Sequence, residues 1–149
     1  MKPLIVLAGT FTITLLILKI LGKKMNYSLA GRLAMLCMLT FTAIGHFAFM
    51  DGMQAMVPTL IPFKKEIVFI TGIMEIVFGT ALLFPQYQKQ TGWLLIAFFI
   101  LILPANINAA LHQVNYQTGS LDGPRTNYLW FRVPLQLFFM VWVYLSTNR

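Results

Sequence analysis

Charge is what this sequence has least of. Its 149 residues include four Asp or Glu and eleven Lys or Arg, 10% charged against 58% hydrophobic, and the mean hydropathy is +0.76. Soluble domains carry about a quarter charged residues, so this composition argues against a soluble fold and for an integral membrane protein. Cysteine is nearly absent. Cys37 stands alone in an apolar segment, which leaves no intramolecular disulfide, no CxxC redox pair and no cysteine metal cluster. The two histidines, His46 and His112, carry no metal or haem spacing, so no metal is expected and haem is disfavoured. The net charge of +7 comes without a basic run interleaved with aromatics, so nucleic acid is not an expected partner and anionic lipid headgroups are. No internal repeat or low-complexity tract occurs.

What is there is a series of five apolar segments, near residues 3–21, 28–50, 64–84, 92–112 and 127–146. Each is about the length a helix needs to cross a bilayer. A single transmembrane domain covering residues 1–149, an all-α bundle with five spans, is the expected fold. The first segment lacks the cationic start and cleavage site of a signal peptide beyond Lys2, and reads as a retained helix. Residues 51–63 hold Gly52, Pro58 and Pro62 and are not expected to continue a helix; they suit a short interfacial lid. Residues 86–91 and 113–126 read as polar loops. Pro104 and Pro134 fall within segments and are expected to kink them.

Basic residues set the orientation. With the N-terminus outside, Lys19, Lys23, Lys24, Arg32, Lys89 and Arg149 gather on the cytoplasmic side, and Lys2, Lys64, Lys65 and Arg125 on the outer side. The expected topology is N-out, C-in, in a plasma or bacterial inner membrane, because the segments are helices and not barrel strands.

Against this apolar background a few polar groups stand out. Glu75 is the one charge in the stretch from Ile67 to Phe84, where a central carboxylate costs on the order of 2.5–3.5 kcal/mol. Gly72, Glu75 and Gly79 share a helix face, and the two glycines let another backbone come close, so the carboxylate should point into the protein. Arg32, Met35, Leu39, Thr42, His46 and Phe49 form a second stripe expected to face the interior. At ~1.5 Å per residue, His46, Asn106 and Arg132 lie roughly 6–9 Å below the outer boundary, Gln136 about 13 Å and Glu75 about 15 Å. Four segments therefore bring hydrogen-bonding groups to one half of the bundle, and His46, Glu75, Asn106, Arg132 and Gln136 form the candidate ligand site or buried polar network. An ion pair between Glu75 and Arg132, with Asn106 and Gln136 completing a purely structural network, is the competing reading.

In order along the chain, Gly45-His46-Phe47, the loop from Val57-Pro58 to Ile61-Pro62, Thr71-Gly72-Ile73-Met74-Glu75-Ile76, Phe84-Pro85, Pro104-Ala105-Asn106-Ile107 and Arg132-Val133-Pro134-Leu135-Gln136 resemble the DoxX-like membrane proteins. The resemblance covers about residues 28–146. It implies a four-helix membrane core, which makes the first segment an added N-terminal helix. It also implies a setting: relatives belong to thiosulfate and quinone oxidation, to other membrane oxidoreductase complexes, or to protein assembly and trafficking, although this chain lacks the thiols that sulfur transfer favours.

Two functions stay open. In one, the polar groups bind a quinone-like or other amphipathic molecule for a redox complex, with Glu75 and His46 handling protons, Arg132 holding Glu75 or a ligand oxygen, and Asn106 and Gln136 orienting it. The chain has no electron carrier of its own, so a cofactor, quinone being the candidate, or a membrane protein partner has to supply one. In the other, the chain is a non-enzymatic accessory or assembly protein that docks on a partner or on further copies of itself, and the polar groups only hold the helices. A transporter is disfavoured by the missing repeat.

Overall fold

The computed structural model describes residues 2–123 and 126–148. Among them are six α-helices and no strand: α1 (Lys2–Ile20), α2 (Tyr27–Ala48), α3 (Met50–Met56), α4 (Lys64–Ala81), α5 (Gln88–Leu111) and α6 (Leu129–Thr147), with a 3₁₀ turn over Thr126–Tyr128. Helices α1, α2, α5 and α6 are long and apolar enough to cross a membrane, which marks a membrane protein. Helix α4, with Lys64, Lys65, Glu66 and Glu75 in its 18 residues, is not among those four. Arg125 and Arg149, two of the cations in the orientation argument, lie outside the described residues.

Helix ends follow local chemistry. After α1, Gly22 adopts φ 64°, Gly22 N–H reaches the Lys19 carbonyl and Lys23 N–H the Leu18 carbonyl, the paired bonds that close a helix with a left-handed glycine. Asn26 then caps α2, its side chain accepting from Leu29 N–H at 2.9 Å. Helix α4 stops at Ala81, short of residue 84, as Leu83 and Phe84 make i→i+3 bonds ahead of Pro85.

Two expectations about loops are corrected. Residues 50–56 form a helix, because the prolines that stop helices come only at Pro58 and Pro62, and Met, Gln and Ala before them are good helix formers. Residues 88–91 are the first turn of α5 and not loop, since nothing between Pro85 and Gly92 breaks a helix. Pro104 and Pro134 both sit inside unbroken helices.

Helix α2 is central and packs on α1, α4 and α6; α5 packs chiefly on α6, and α3 on α4 and α5. The apolar core gathers Met35, Met38 and Leu39 of α2, Leu95, Phe98 and Phe99 of α5, and Phe139 and Val143 of α6. Helix α1 contributes Leu7, its only buried residue, and sets Phe11 edge-on to Trp142 at 4.9 Å.

The direction of each helix is fixed by contacts at the ends. Arg32, at the start of α2, donates to the Ser146 carbonyl at 3.0 Å, at the end of α6, and Gly92, near the start of α5, faces Thr147. Helices α2 and α5 therefore begin at the same end of the bundle. The chain leaves α2 at the opposite end, so α4 has to run the length of the bundle back again.

Candidate functional site

The five candidate residues fall at two helix seams. On the α2–α4 seam, Gly72 and Gly79 do what their spacing predicts. A Cβ at Gly72 would lie 3.0 Å from that of His46, and one at Gly79 would lie 2.9 Å from Leu36 Cδ1. This close approach sets Glu75, 4% exposed, against α2. Its Oε1 lies 3.7 Å from His46 Nε2, while Oε2 is buried with no hydrogen-bond partner among the described residues.

The protonation pattern of this pair follows from its neighbours. His46 Nδ1 is 3.1 Å from the Val68 carbonyl and 3.3 Å from Thr71 Oγ1. The carbonyl can only accept, and Thr71 gives its own hydrogen to the Ile67 or Val68 carbonyl, so Nδ1 carries hydrogen. Neutral histidine then presents a lone pair at Nε2. At 3.7 Å the two are not hydrogen-bonded, and a proton on Nε2 or on the carboxyl would turn a repulsive contact into an attractive one. Thr42, one turn before His46, directs its hydroxyl to the Met38 and Leu39 carbonyls and is also within reach of the Glu75 carboxyl.

The α5–α6 seam holds the other three. Arg132 Nη2 donates to Asn106 Oδ1 at 2.7 Å, and Asn106 Nδ2 donates to Gln136 Oε1 at 3.1 Å. Gln136 Nε2 in turn donates to the Phe99 carbonyl. Asn106 is thus the hub, using both ends of its amide, and Gln136 closes the chain onto backbone. The guanidinium of Arg132 also stands 5.9 Å over the Tyr128 ring.

Among the described residues no hydrogen bond or ion pair links His46 or Glu75 to Asn106, Arg132 or Gln136. The Glu75–Arg132 ion pair of the competing reading is not formed: His46 faces Glu75, and Asn106 takes Arg132. The depth estimate placed the groups at similar levels, but which groups meet depends on which helices pack, and α4 packs on α2 while α6 packs on α5.

Two cavities bear on the candidate residues, the first lined by two of them and the second by none. One of about 40 Å³ lies beside Asn106 and Arg132, walled by Ala109, Ala110, Tyr116 and Tyr128. A cavity that accepts benzene is about 150 Å³, so this one takes waters or a small group and not a ring. The other is an open groove of about 330 Å³ between Met50 and Lys65, Glu66, Phe69 and Ile70 of α4. Phe69 there packs edge-on to Phe47, the neighbour of His46, at 5.6 Å.

Sequence reasoning missed Thr71, Tyr116 and Tyr128. Thr71 had a signal, four residues before Glu75 on one helical face. The tyrosines had none, because they reach the cavity from the 113–123 loop and the 3₁₀ turn. That loop is tied by its own bonds: hydrogen bonds from Ser120 and Asn115 hold the Asp122 carboxyl below its ordinary range.

A family model described as a domain of unknown function (DUF8561) matches residues 35–147. It takes in both seams and leaves out α1. No curated protein and no solved structure matches the chain.

Proposed function

Since the chain belongs to the DUF8561 family, whose function is unknown, its role has to come from its own geometry, and we propose that it is a DoxX-like multi-pass protein binding a quinone-like or other amphipathic molecule for a membrane redox complex. In this reading it crosses a plasma or bacterial inner membrane five times, N-out and C-in, with α4 as the fifth span. The site is the α2–α4 seam. The observation that carries it is Glu75: a carboxylate 4% exposed, with one oxygen unpartnered and the other facing His46. A purely structural carboxylate is expected to have both oxygens satisfied.

The two groups form a place where one proton can be held and passed, as reduction or oxidation of a quinone-like ring requires. His46, with 17% of its side chain exposed, is the outer member of the pair. The ring would rest in the groove bordered by Phe69 and Met50, and one of its oxygens would reach inward past Phe47 to the pair. Electrons come from a partner protein or its cofactor. Asn106 and Gln136 hold α5 to α6 in this scheme and do not touch the ligand.

The test is chemical analysis of small molecules retained by the protein in mild neutral detergent. Wild-type protein should carry a quinone-like compound, and Glu75→Gln and His46→Ala should each lose it by about tenfold or more while remaining folded, as expected for a lost hydrogen bond to a charged group. Equal retention in all three proteins, or none in wild type, would sink the reading.

A second reading, an accessory or assembly protein with a structural polar interior, is favoured by the Asn106–Gln136–Phe99 chain, whose members satisfy one another. It requires that His46→Ala and Glu75→Gln cost stability together as one unit, with coupling of about 0.5–3 kcal/mol, and change no ligand.

A further inference from the structure

Arg132 has a donor surplus that the chain does not neutralise. The sequence holds four acidic residues, and each is accounted for elsewhere. Asp51 and Glu66 are exposed on α3 and α4, Glu75 faces His46, and Asp122 is held by Ser120 and Asn115. Among the described residues no carboxylate lies within ion-pair distance of Arg132. Its one hydrogen bond among the described residues, to Asn106, leaves most of its five N–H donors without an acceptor among them.

The cavity beside it selects for an anion. Asn106 has already committed its oxygen to Arg132 and an amide hydrogen to Gln136. Tyr116 and Tyr128 line the cavity, and neither makes a side-chain hydrogen bond among the described residues, which leaves each hydroxyl able to donate. The remaining wall is apolar, Ala109 and Ala110 among it. A pocket with a fixed cation at its edge and unpaired N–H donors on that cation stabilises negative oxygen. The cavity lies toward the end of the bundle where α5 finishes and α6 begins.

We propose that Arg132, with the Tyr116 and Tyr128 hydroxyls, holds a phosphate group in this cavity, carried by a lipid headgroup or as free phosphate. At about 40 Å³ the cavity admits the phosphoryl group alone, with the rest of any lipid lying outside along the bundle. The site is separate from the His46–Glu75 pair and does not depend on what that pair binds.

The test uses the full chain in nanodiscs of phosphatidylcholine with a minority of phosphatidylglycerol, read by native mass spectrometry, and the full chain in neutral detergent titrated with inorganic phosphate, read by ³¹P line width. Three variants decide it. Arg132→Gln removes the cation, Ala109→Leu fills the cavity and keeps the cation, and Lys65→Gln removes a charge from the other groove. Wild type and Lys65→Gln should retain phosphatidylglycerol over phosphatidylcholine, and Arg132→Gln and Ala109→Leu should each reduce that retention about tenfold, the effect of one charged hydrogen bond. Phosphate broadening with the same dependence, without lipid preference, assigns the site to free phosphate and also supports the proposal. Should Arg132→Gln fail to fold, Arg132→Lys, which keeps the charge and loses the fork, should bind phosphate more weakly than wild type. Anion retention that is indifferent to Arg132, or that survives Ala109→Leu, overturns the site.

Discussion

Asn106 shows how unequal the polar residues are at close range. It serves two partners, while Gln136 serves Asn106 and a carbonyl already inside a helix. An interhelical hydrogen bond within a membrane protein contributes about 0.6 kcal/mol on average, so Gln136→Leu should lower stability by about 1 kcal/mol. Asn106→Leu strands a guanidinium as well and should cost about 1–3 kcal/mol. Asn106→Asp, which offers Arg132 a carboxylate, should recover much of that loss. Unfolding of the three variants in mixed detergent gives the order directly, and a Gln136→Leu effect equal to that of Asn106→Leu would remove Asn106 from its place as hub. At this scale the sequence was half legible. That Glu75, Asn106 and Gln136 turn inward could be read from helical spacing, but the partner of Glu75 could not. Facing depends on one helix; partnership depends on which two helices touch.

Among elements, the α2–α4 seam is the best specified by sequence, because Gly72, Glu75 and Gly79 recur on one face and the glycines remove the atoms that would hold α2 away. The same spacing makes the seam brittle. Gly72→Ala introduces a Cβ 3.0 Å from that of His46 and 3.1 Å from the Phe47 ring. Overpacking of this kind costs about 1–3 kcal/mol, and here it also pushes His46 from Glu75. The expected result is a lower melting temperature in detergent together with loss of any molecule bound at the pair; Ala at the exposed position of Ile73 on the same helix should do neither. A Gly72→Ala protein that melts like wild type would mean the helices are not held this close. Helix α3 was illegible for the opposite reason. A seven-residue helix has too few turns for periodicity to show, and it is placed by Gly52 lying against the Tyr116 backbone, a contact that local sequence does not report.

For the whole molecule, the decisive quantity is the number of crossings, and parity tests it. The sequence alone yields five apolar segments, while four helices among the described residues meet the demands of length and low charge; α4 does not, because it carries four charges, three of them in its first three residues. Those three sit where a bilayer boundary would be, and the fourth, Glu75, is turned to α2. The 18 residues of α4 reach about 27 Å at 1.5 Å each, close to the ~30 Å of a bilayer core. The contacts of Arg32 with Ser146 and of Gly92 with Thr147 put the starts of α2 and α5 at one end, so the chain has to return through α4 between them. Five crossings place the termini on opposite sides of the membrane; four place them on the same side. With Cys37 replaced by Ser and single cysteines introduced at Lys2 or Asn148, a membrane-impermeant maleimide added to intact cells should label the first and spare the second, and permeabilised cells should label both. Labelling of both in intact cells, or of neither, would show an even number of crossings and take α4 out of the bilayer. Labelling of Asn148 alone would keep five crossings and reverse the orientation drawn from Lys19, Lys23 and Lys24.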